Sequence, residues 1–225
     1  MSIEKEYLIT REGFTRRTIT AEVLSPADSI IQGLSEKAPR KIMRFADAGA
    51  LLSGSFNEGS ALVWGEPSSL KFTCGWGAPV DGKVSPDFRG TSVYSVNWTP
   101  PEGFKVRFVV VASVSGERWE VGNCYLIGVS RTTPGWYRLP LPNTYDDGRV
   151  CMGGRVGASP TVAGAWLMAF SHWQSAPFNA DLIDRVNAGH CKGLFSYTSS
   201  GAQVPCENPV ACCVKVNSTV YDSML

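Results

Sequence analysis

Residues 105–130, "KVRFVVVASVSGERWEVGNCYLIGVS", decide the fold that the sequence predicts. Both ends of this stretch, "KVRFVVVASV" and "NCYLIGVS", are rich in the β-branched and aromatic residues that favour strands. The segment between them, "SGERWEVG", carries the Ser and Gly residues typical of turns. Two such runs joined by a short turn predict a pair of antiparallel strands.

Similar runs lie on either side of this pair. "TSVYSVNW" (residues 91–98) precedes it across "TPPEG", and "WYRLPL" (residues 136–141) follows it across "RTTPG". The four runs together predict an antiparallel β-meander between about residues 91 and 140.

The first 90 residues predict a mixture of elements. Residues 1 to about 25 predict a short hairpin that turns at Arg11-Glu12-Gly13. Residues 25–45 predict a helix that starts at Ser25 and Pro26 and is broken near Pro39. Residues 53–90 are rich in Gly, Ser and Pro and predict weakly defined β structure with loops. We therefore expect an α+β protein with an N-terminal extension (residues 1–85) and a second domain (residues 86–225).

A helix is expected after the meander. Ser159 followed by Pro160 is a good start signal, with Ser159 as the N-cap. Val162, Trp166, Phe170 and Trp173 then fall along one helix face. The segment "SAPFNADLIDRVN", residues 175–187, predicts a short second helix.

Composition restricts the classes of function. The 225 residues carry a net charge of +1, which argues against a dedicated nucleic-acid binder because such proteins neutralise many phosphates. The N-terminal "MSIEKEYLIT" does not resemble a signal peptide, and no apolar run approaches the roughly 18 residues of a membrane span. We therefore expect a cytoplasmic protein without a membrane partner. In that setting the seven cysteines are free thiols, metal ligands or a nucleophile.

The stretch "LPNTYDDGRVCMGG", residues 141–154, carries more than turn residues. Its order of meander, Pro-Asn loop, cysteine and crossing helix resembles the ubiquitin-conjugating enzyme (UBC) superfamily, whose pattern is HPN-x-Y-x-x-G-[KR]-[IV]-C-L. The matching residues are Pro142, Asn143, Tyr145, Gly148, Arg149, Val150 and Cys151. Leu141 stands where the family has histidine. The form is similar to a prokaryotic branch that lacks this histidine and includes protein B of the PRTRC cassettes.

The resemblance implies a UBC-like α+β domain over residues 86–225. It also implies a carrier that accepts a ubiquitin-like protein as a thioester on Cys151 from a ThiF-like activating enzyme and passes it to an amine. ATP is consumed by the activating enzyme, so no cofactor is expected here. A JAB-type peptidase encoded in the same operon is a further expected partner, and the acceptor protein is not specified.

The resemblance also assigns roles to residues of the loop. Cysteine suits a carrier because its thiolate is both a good nucleophile and a reasonable leaving group. Asn143 matches the residue whose amide stabilises the tetrahedral oxyanion. Tyr145 matches a position that packs on the incoming lysine and lowers the pKa of that lysine by desolvation. Asp146 and Asp147 are candidates for orienting the lysine, although a turn explains an Asp-Asp-Gly segment equally well.

Other functions stay open at this point. The fold could persist as a binding module that has lost transfer activity. A Cys-His thiol hydrolase would instead need His172 or His190 within hydrogen-bond reach of Cys151. The C-terminal cluster of His190, Cys191, Cys206, Cys212 and Cys213 suggests zinc but lacks paired C-x-x-C spacing, so we predict no metal site.

A basic stripe is the last candidate feature. It consists of Lys37, Arg40, Lys41 and Arg44, which recur at helical spacing. A solvated helix face explains this spacing, and a docking surface for an acidic partner is the alternative.

Overall fold

The computed structural model describes residues 6–10, 13–17, 22–24, 41–47, 50–57, 59–87, 94–141, 143–176 and 192–216. It shows an α+β protein that is rich in strands and whose sheets are mainly antiparallel. The described strands are β1 (Glu6–Thr10), β2 (Gly13–Arg17), β3 (Glu22–Leu24), β4 (Lys41–Asp47), β5 (Ala50–Asn57), β6 (Ser60–Gly65), β7 (Leu70–Trp76), β8 (Lys83–Val84), β9 (Pro86–Asp87), β10 (Tyr94–Trp98), β11 (Phe104–Ser115), β12 (Arg118–Ser130), β13 (Trp136–Arg138), β14 (Arg149–Val150), β15 (Ala158–Ser159), β16 (Tyr197–Thr198) and β17 (Val214–Val216). Helix α1 spans Val162–Ser175, and a 3-10 helix spans Pro209–Cys212.

One large sheet organises the molecule. Its strand order is β17-β13-β12-β11-β6-β5-β4-β1-β2-β3, and β14 and β15 also pair with β12. β1 and β4 are parallel, whereas the other described neighbours in this sheet are antiparallel. β10, β7 and β9 form a second sheet, and β16 pairs with β8.

The predicted meander is confirmed for three of its four strands. β11, β12 and β13 are consecutive antiparallel neighbours, as expected. The fourth expected member, β10, is a strand but pairs with β7 in the second sheet, so its predicted place in the meander is wrong. The physical reason is that β6 already occupies the free edge of β11, while Val96 and Trp98 of β10 are buried in the core.

The N-terminal predictions are partly confirmed. β1 and β2 form the expected hairpin, with Thr10 opposite Gly13. The helix predicted for residues 25–45 is wrong over residues 41–45, because β4 occupies residues 41–47 and pairs with β5 along its whole length. The rest of that predicted helix lies outside the described residues.

The predicted basic stripe is also wrong, because residues 41–47 form a strand and not a helix. Lys41 and Arg44 lie on strand β4, so their helical spacing does not exist. Lys37 and Arg40 lie outside the described residues.

The region predicted as weak β structure forms well-defined strands. β6 pairs with β11 and β7 pairs with β10. Strand pairing therefore crosses the predicted boundary between residues 85 and 86, and the division into two domains stays a prediction.

Helix α1 packs on the main sheet through the predicted face. Val162, Trp166 and Trp173 are buried, and the Phe170 ring stacks on Trp166 with a centroid distance of 4.9 Å. The Trp166 Nε1–H donates to the backbone oxygen of Phe108 at 2.8 Å. This bond satisfies a buried polar group and fixes the helix against β11.

The start of α1 differs from the prediction by two residues. Thr161 is the N-cap, and its Oγ1 accepts a hydrogen bond from the Gly164 backbone N–H at 3.0 Å. Ser159, the expected cap, pairs with Trp119 as part of β15. The predicted second helix begins at Ser175, which ends α1, and its residues from 177 onward lie outside the described residues.

Among the described residues, no helix combines the length and the hydropathy required to cross a bilayer.

Candidate functional site

Residues 143–151 form a tight hairpin that brings Asn143 and Cys151 together. Thr144 and Val150 are opposite one another in an antiparallel bridge. One step further from the turn, the Cys151 backbone N–H donates to the Asn143 backbone oxygen at 2.6 Å. The eight-residue spacing between Asn143 and Cys151 is therefore the spacing that makes them cross-strand neighbours. Pro142 lies outside the described residues.

The turn of this hairpin explains the acidic and glycine residues at its tip. The Tyr145 backbone N–H donates to the Arg149 oxygen at 2.8 Å, and the Gly148 N–H donates to the Tyr145 oxygen at 2.9 Å. Gly148 has a φ of 81°, which glycine adopts without strain. An Asp147 carboxylate oxygen accepts from the Arg149 backbone N–H at 3.0 Å and so closes the turn.

Side chains alternate between the two faces of the hairpin. Thr144 (2% exposed) and Val150 (4% exposed) are buried, whereas Asn143, Tyr145 and Cys151 are partly exposed. Such alternation is expected for paired extended segments. Tyr145 and Cys151 both line the same groove, and Asn143 is partly exposed at the start of the hairpin.

Leu141 anchors the hairpin to the protein. It is 3% exposed and belongs to the main hydrophobic core. Full burial of a leucine side chain contributes about 1.5–3 kcal/mol. Burial of the Leu141 side chain therefore fixes the start of the loop against the core.

Asn143 adopts a left-handed backbone conformation. Its φ is 59°, in a region that residues other than glycine rarely adopt but that asparagine tolerates. An asparagine at this place therefore suits the backbone, and a role of its side-chain amide stays a prediction.

The Tyr145 hydroxyl interacts with the Cys151 thiol. A hydrogen bond with Cys151, followed by the charge of Cys151, raises the pKa of Tyr145. The Arg149 guanidinium carbon lies 4.6 Å from the centroid of the Tyr145 ring, a cation–π arrangement. Tyr145 thus interacts with both Cys151 and Arg149.

A groove of about 300 Å³ opens beside the thiol. Its walls come from β12 and from the segment that follows the hairpin. The lining residues are Val121, Gly122, Asn123, Cys124, Tyr145, Arg149, Val150, Cys151, Met152, Gly153, Gly154, Arg155 and Val156. Arg149 and Arg155 are the charged residues among them, and each has an acidic neighbour: Arg155 Nη2 lies 3.1 Å from Glu120 Oε2, and Arg149 Nε lies 4.0 Å from Asp147 Oδ2.

A β-bulge in β12 shapes this groove. Val110 pairs with Cys124, and Ala112 pairs with Val121, so Gly122 and Asn123 together oppose a single residue of β11. A Cβ at Gly122 would lie 2.9 Å from the Val111 oxygen, which explains the glycine. Bulges bend strands and re-aim side chains beside functional sites.

The other cysteines near the sheet differ from Cys151. Cys74 and Cys124 are buried, and burial raises the pKa of each thiol to about 12. Cys151 is partly exposed and lines the groove. A thiolate is the nucleophilic form of cysteine, so Cys151 is the better candidate of these three.

The two predicted orienting acids have partners at the turn. Asp146 accepts from Arg138 Nη1 at 3.0 Å, and the same nitrogen donates to the Thr144 oxygen at 3.4 Å. The Asp147 Oδ2 lies 4.0 Å from the Arg149 Nε. Through these contacts both acids stabilise the hairpin. Their role in orienting the acceptor lysine stays a prediction.

His172 of α1 contacts the segment after Cys151. Its Nε2 lies 2.8 Å from the Met152 backbone oxygen, and because a carbonyl only accepts, the ring nitrogen donates. That nitrogen is therefore occupied by the backbone and does not serve as a base for Cys151. His190, the other candidate base, lies outside the described residues.

The C-terminal cysteines do not assemble a metal site within the described part of the chain, where no group of three suitable ligands occurs. Cys206 and Cys212 do approach each other, with sulfurs 3.9 Å apart. His190 and Cys191 lie outside the described residues.

Three features of the site were not identified from the sequence: the bulge at Gly122–Asn123, the Arg155–Glu120 ion pair beside the groove, and the hydrogen bond from His172 to Met152. The adjacent Gly122 and Asn123 were a weak signal, since glycine inside a strand often marks a bulge. Comparison of the chain with protein-family models, with curated proteins and with solved structures found no match.

Proposed function

We propose that this chain is a ubiquitin-conjugating-like carrier with a UBC-like arrangement of sheet, active-site loop and crossing helix. The order of β11, β12 and β13, the Cys151 hairpin and helix α1 supports this proposal. In this role the chain accepts a ubiquitin-like protein from a ThiF-like activating enzyme and transfers it to an amine.

One observation carries the proposal. Cys151 lies on the partly exposed face of a hairpin, opposite Asn143, in hydrogen-bond contact with Tyr145 and at the edge of a groove. A thiol so placed is accessible to an acyl group, and the groove offers room for an extended chain end beside it.

The reaction consists of two acyl exchanges at Cys151. In loading, the Cys151 thiolate attacks the thioester carbonyl on the activating enzyme, a new C–S bond forms, and the thiolate of that enzyme leaves. In discharge, a neutral amine attacks the Cys151 thioester, the C–S bond breaks, and the amine proton is lost as the amide forms. Cys151 returns as thiolate, and no cofactor of its own takes part.

Asn143 and Tyr145 have separate roles in discharge. The Asn143 amide N–H stabilises the tetrahedral oxyanion, a contribution of about 2.7–4 kcal/mol for one such donor. Tyr145 hydrogen bonds with the thiol, which supports a role in holding the sulfur as nucleophile and leaving group. Packing of Tyr145 on the acceptor lysine is a second part of this proposal.

The test is thioester formation with purified components. The protein is mixed with ATP and with the activating enzyme and modifier encoded beside its gene, and the products are run on gels with and without thiol reductant. We expect a reductant-sensitive adduct that Cys151→Ala abolishes. Cys151→Ser should give an ester that resists reductant, because an oxygen replaces the sulfur.

Cys124→Ala is the matched control, since this thiol also lines the groove but is buried. It should load normally. The proposal is wrong if the adduct persists in Cys151→Ala, or if an activating enzyme that forms its own thioester never transfers the modifier to this chain.

A further inference from the structure

A pair of thiols lies near the C-terminal strand, away from the residues that line the groove. The Cys206 and Cys212 sulfurs are 3.9 Å apart, and both residues are partly exposed. A disulfide bond is about 2.05 Å long, so the two sulfurs lie about 1.9 Å farther apart than bonded sulfurs do.

The local backbone holds Cys212 in this position. Cys212 ends the 3-10 helix that starts at Pro209, and the Asn208 side chain caps this helix by accepting from the Ala211 N–H at 3.2 Å. The next residue, Cys213, donates its N–H to the Val210 oxygen at 3.1 Å. Cys212 is therefore placed by a defined turn.

A glycine leaves room for the sulfur. A Cβ at Gly193 would lie 2.8 Å from the Cys212 Sγ, closer than real Cβ contacts allow. The Cys212 sulfur therefore packs directly on the Gly193 backbone, where a side chain would force a local shift.

The Cys212 thiol ionises less readily than an ordinary cysteine. Burial, then the charge of Cys206, then a hydrogen bond with Cys206 raise the pKa of Cys212 to about 11. Cys212 therefore keeps its proton, and a hydrogen bond links the two sulfurs. In thiol–disulfide exchange the thiolate attacks first, and the protonated partner resolves the mixed disulfide.

We propose that Cys206 and Cys212 form a redox-active dithiol, a modification site that reacts with low-molecular-weight disulfides such as oxidised glutathione. The Cys206 thiolate attacks one sulfur of glutathione disulfide, which releases one glutathione thiolate and leaves a mixed disulfide on Cys206. Cys212 then loses its proton and attacks the Cys206 sulfur, which releases the second glutathione. The chain loses two protons and two electrons, and glutathione disulfide becomes two glutathione molecules.

The experiment uses the full chain alone with oxidised glutathione, so its outcome does not depend on the carrier proposal. Free thiols are blocked after an acid quench, and peptides are mapped by mass spectrometry. Cleavage after Glu207 separates Cys206 from Cys212, so a disulfide between them appears as two linked peptides. We expect one such disulfide per chain.

Three variants test the assigned order. Cys212→Ser should trap one glutathione on Cys206, Cys206→Ser should leave Cys212 unmodified, and Cys213→Ser should still form the disulfide. The proposal is overturned if wild-type Cys206 pairs with another cysteine, keeps a stable glutathione, or stays a free thiol. Equal glutathione uptake by Cys206→Ser and Cys212→Ser would also overturn it.

Discussion

Asn143 combines a backbone role with a chemical one, and the two can be separated by substitution. Its φ of 59° and the hydrogen bond from the Cys151 N–H to its oxygen shape the loop. Its amide is the proposed oxyanion donor. Glycine keeps the backbone and removes the amide, whereas aspartate keeps the shape and removes the N–H donors.

We therefore expect Asn143→Gly and Asn143→Asp to load normally and to discharge about 100-fold more slowly or worse. The measurement is single-turnover loss of the thioester to free lysine. Asn143→Ala adds backbone strain and should slow loading as well. If Asn143→Gly discharged the thioester at the wild-type rate, the Asn143 amide would have no role in the mechanism.

Tyr145 gives a pH-dependent signal for its contact with the thiol. The hydrogen bond and charge of Cys151 raise the pKa of Tyr145, because a second negative charge beside the thiolate is unfavourable. The interaction stabilises the neutral phenol of Tyr145. Its contribution is fully present below the ordinary tyrosine pKa of about 10 and is lost as the pH rises through the raised pKa of Tyr145. In Cys151→Ala the pKa of Tyr145 should fall toward the ordinary value.

Ultraviolet titration of tyrosinate measures this change. The chain has seven tyrosines, so the difference between each protein and its Tyr145→Phe counterpart isolates the relevant phenol. An unchanged Tyr145 titration in Cys151→Ala would mean that the two side chains do not interact in solution.

At the scale of elements, the approach of α1 to the sheet depends on a glycine of β6. A Cβ at Gly65 would lie 2.7 Å from Trp166 Cζ2 and 2.7 Å from Leu52 Cδ2, both in buried side chains. Gly65→Ala should therefore lower the free energy of unfolding by about 1–3 kcal/mol through overpacking. Denaturant unfolding measures this change.

Gly154→Ala is the matched control, because a Cβ there meets no atom within 4 Å and the φ of Gly154 is not positive. Its unfolding free energy should stay within about 0.5 kcal/mol of wild type. Equal stability of Gly65→Ala and Gly154→Ala would contradict the close packing of α1 on β6.

The sequence was sufficient for elements whose pattern and partners are local. The existence of β11, β12 and α1 was predicted correctly, although β12 begins at Arg118 inside the segment predicted as a turn and α1 begins two residues later than predicted. Residues 41–45 were predicted as the end of a helix that starts at Ser25 and Pro26, yet pairing with β5 makes them a strand. Partners distant in sequence, such as β7 for β10, leave no local signal.

The same distinction applies to the site. The Asn143–Cys151 motif could be recognised because its residues lie on one short segment, whereas the hairpin pairing of these two residues was not predicted. The groove wall could not be predicted, because it requires the bulge of β12 and the tether from His172, which lie about 20 to 30 residues from Cys151. Both depend on packing between elements.

At the scale of the whole molecule, the main sheet joins both sides of the predicted domain boundary. β6 covers one edge of β11, and β7 covers one edge of β10. Each edge strand would otherwise expose unpaired backbone groups. The segment before residue 86 thus completes the core under the Cys151 hairpin.

We therefore expect a fragment of residues 86–225 to lack cooperative folding, and a fragment of residues 50–225 to retain it. The shorter fragment loses four fully buried side chains, which are Leu52, Val63, Leu70 and Phe72. Their burial is worth about 6–12 kcal/mol at about 1.5–3 kcal/mol each. That loss is comparable with the whole net stability of a typical domain, about 5–15 kcal/mol. Near-ultraviolet circular dichroism and urea unfolding of both fragments measure the outcome, and a cooperative transition in residues 86–225 would mean that this segment is a domain in its own right.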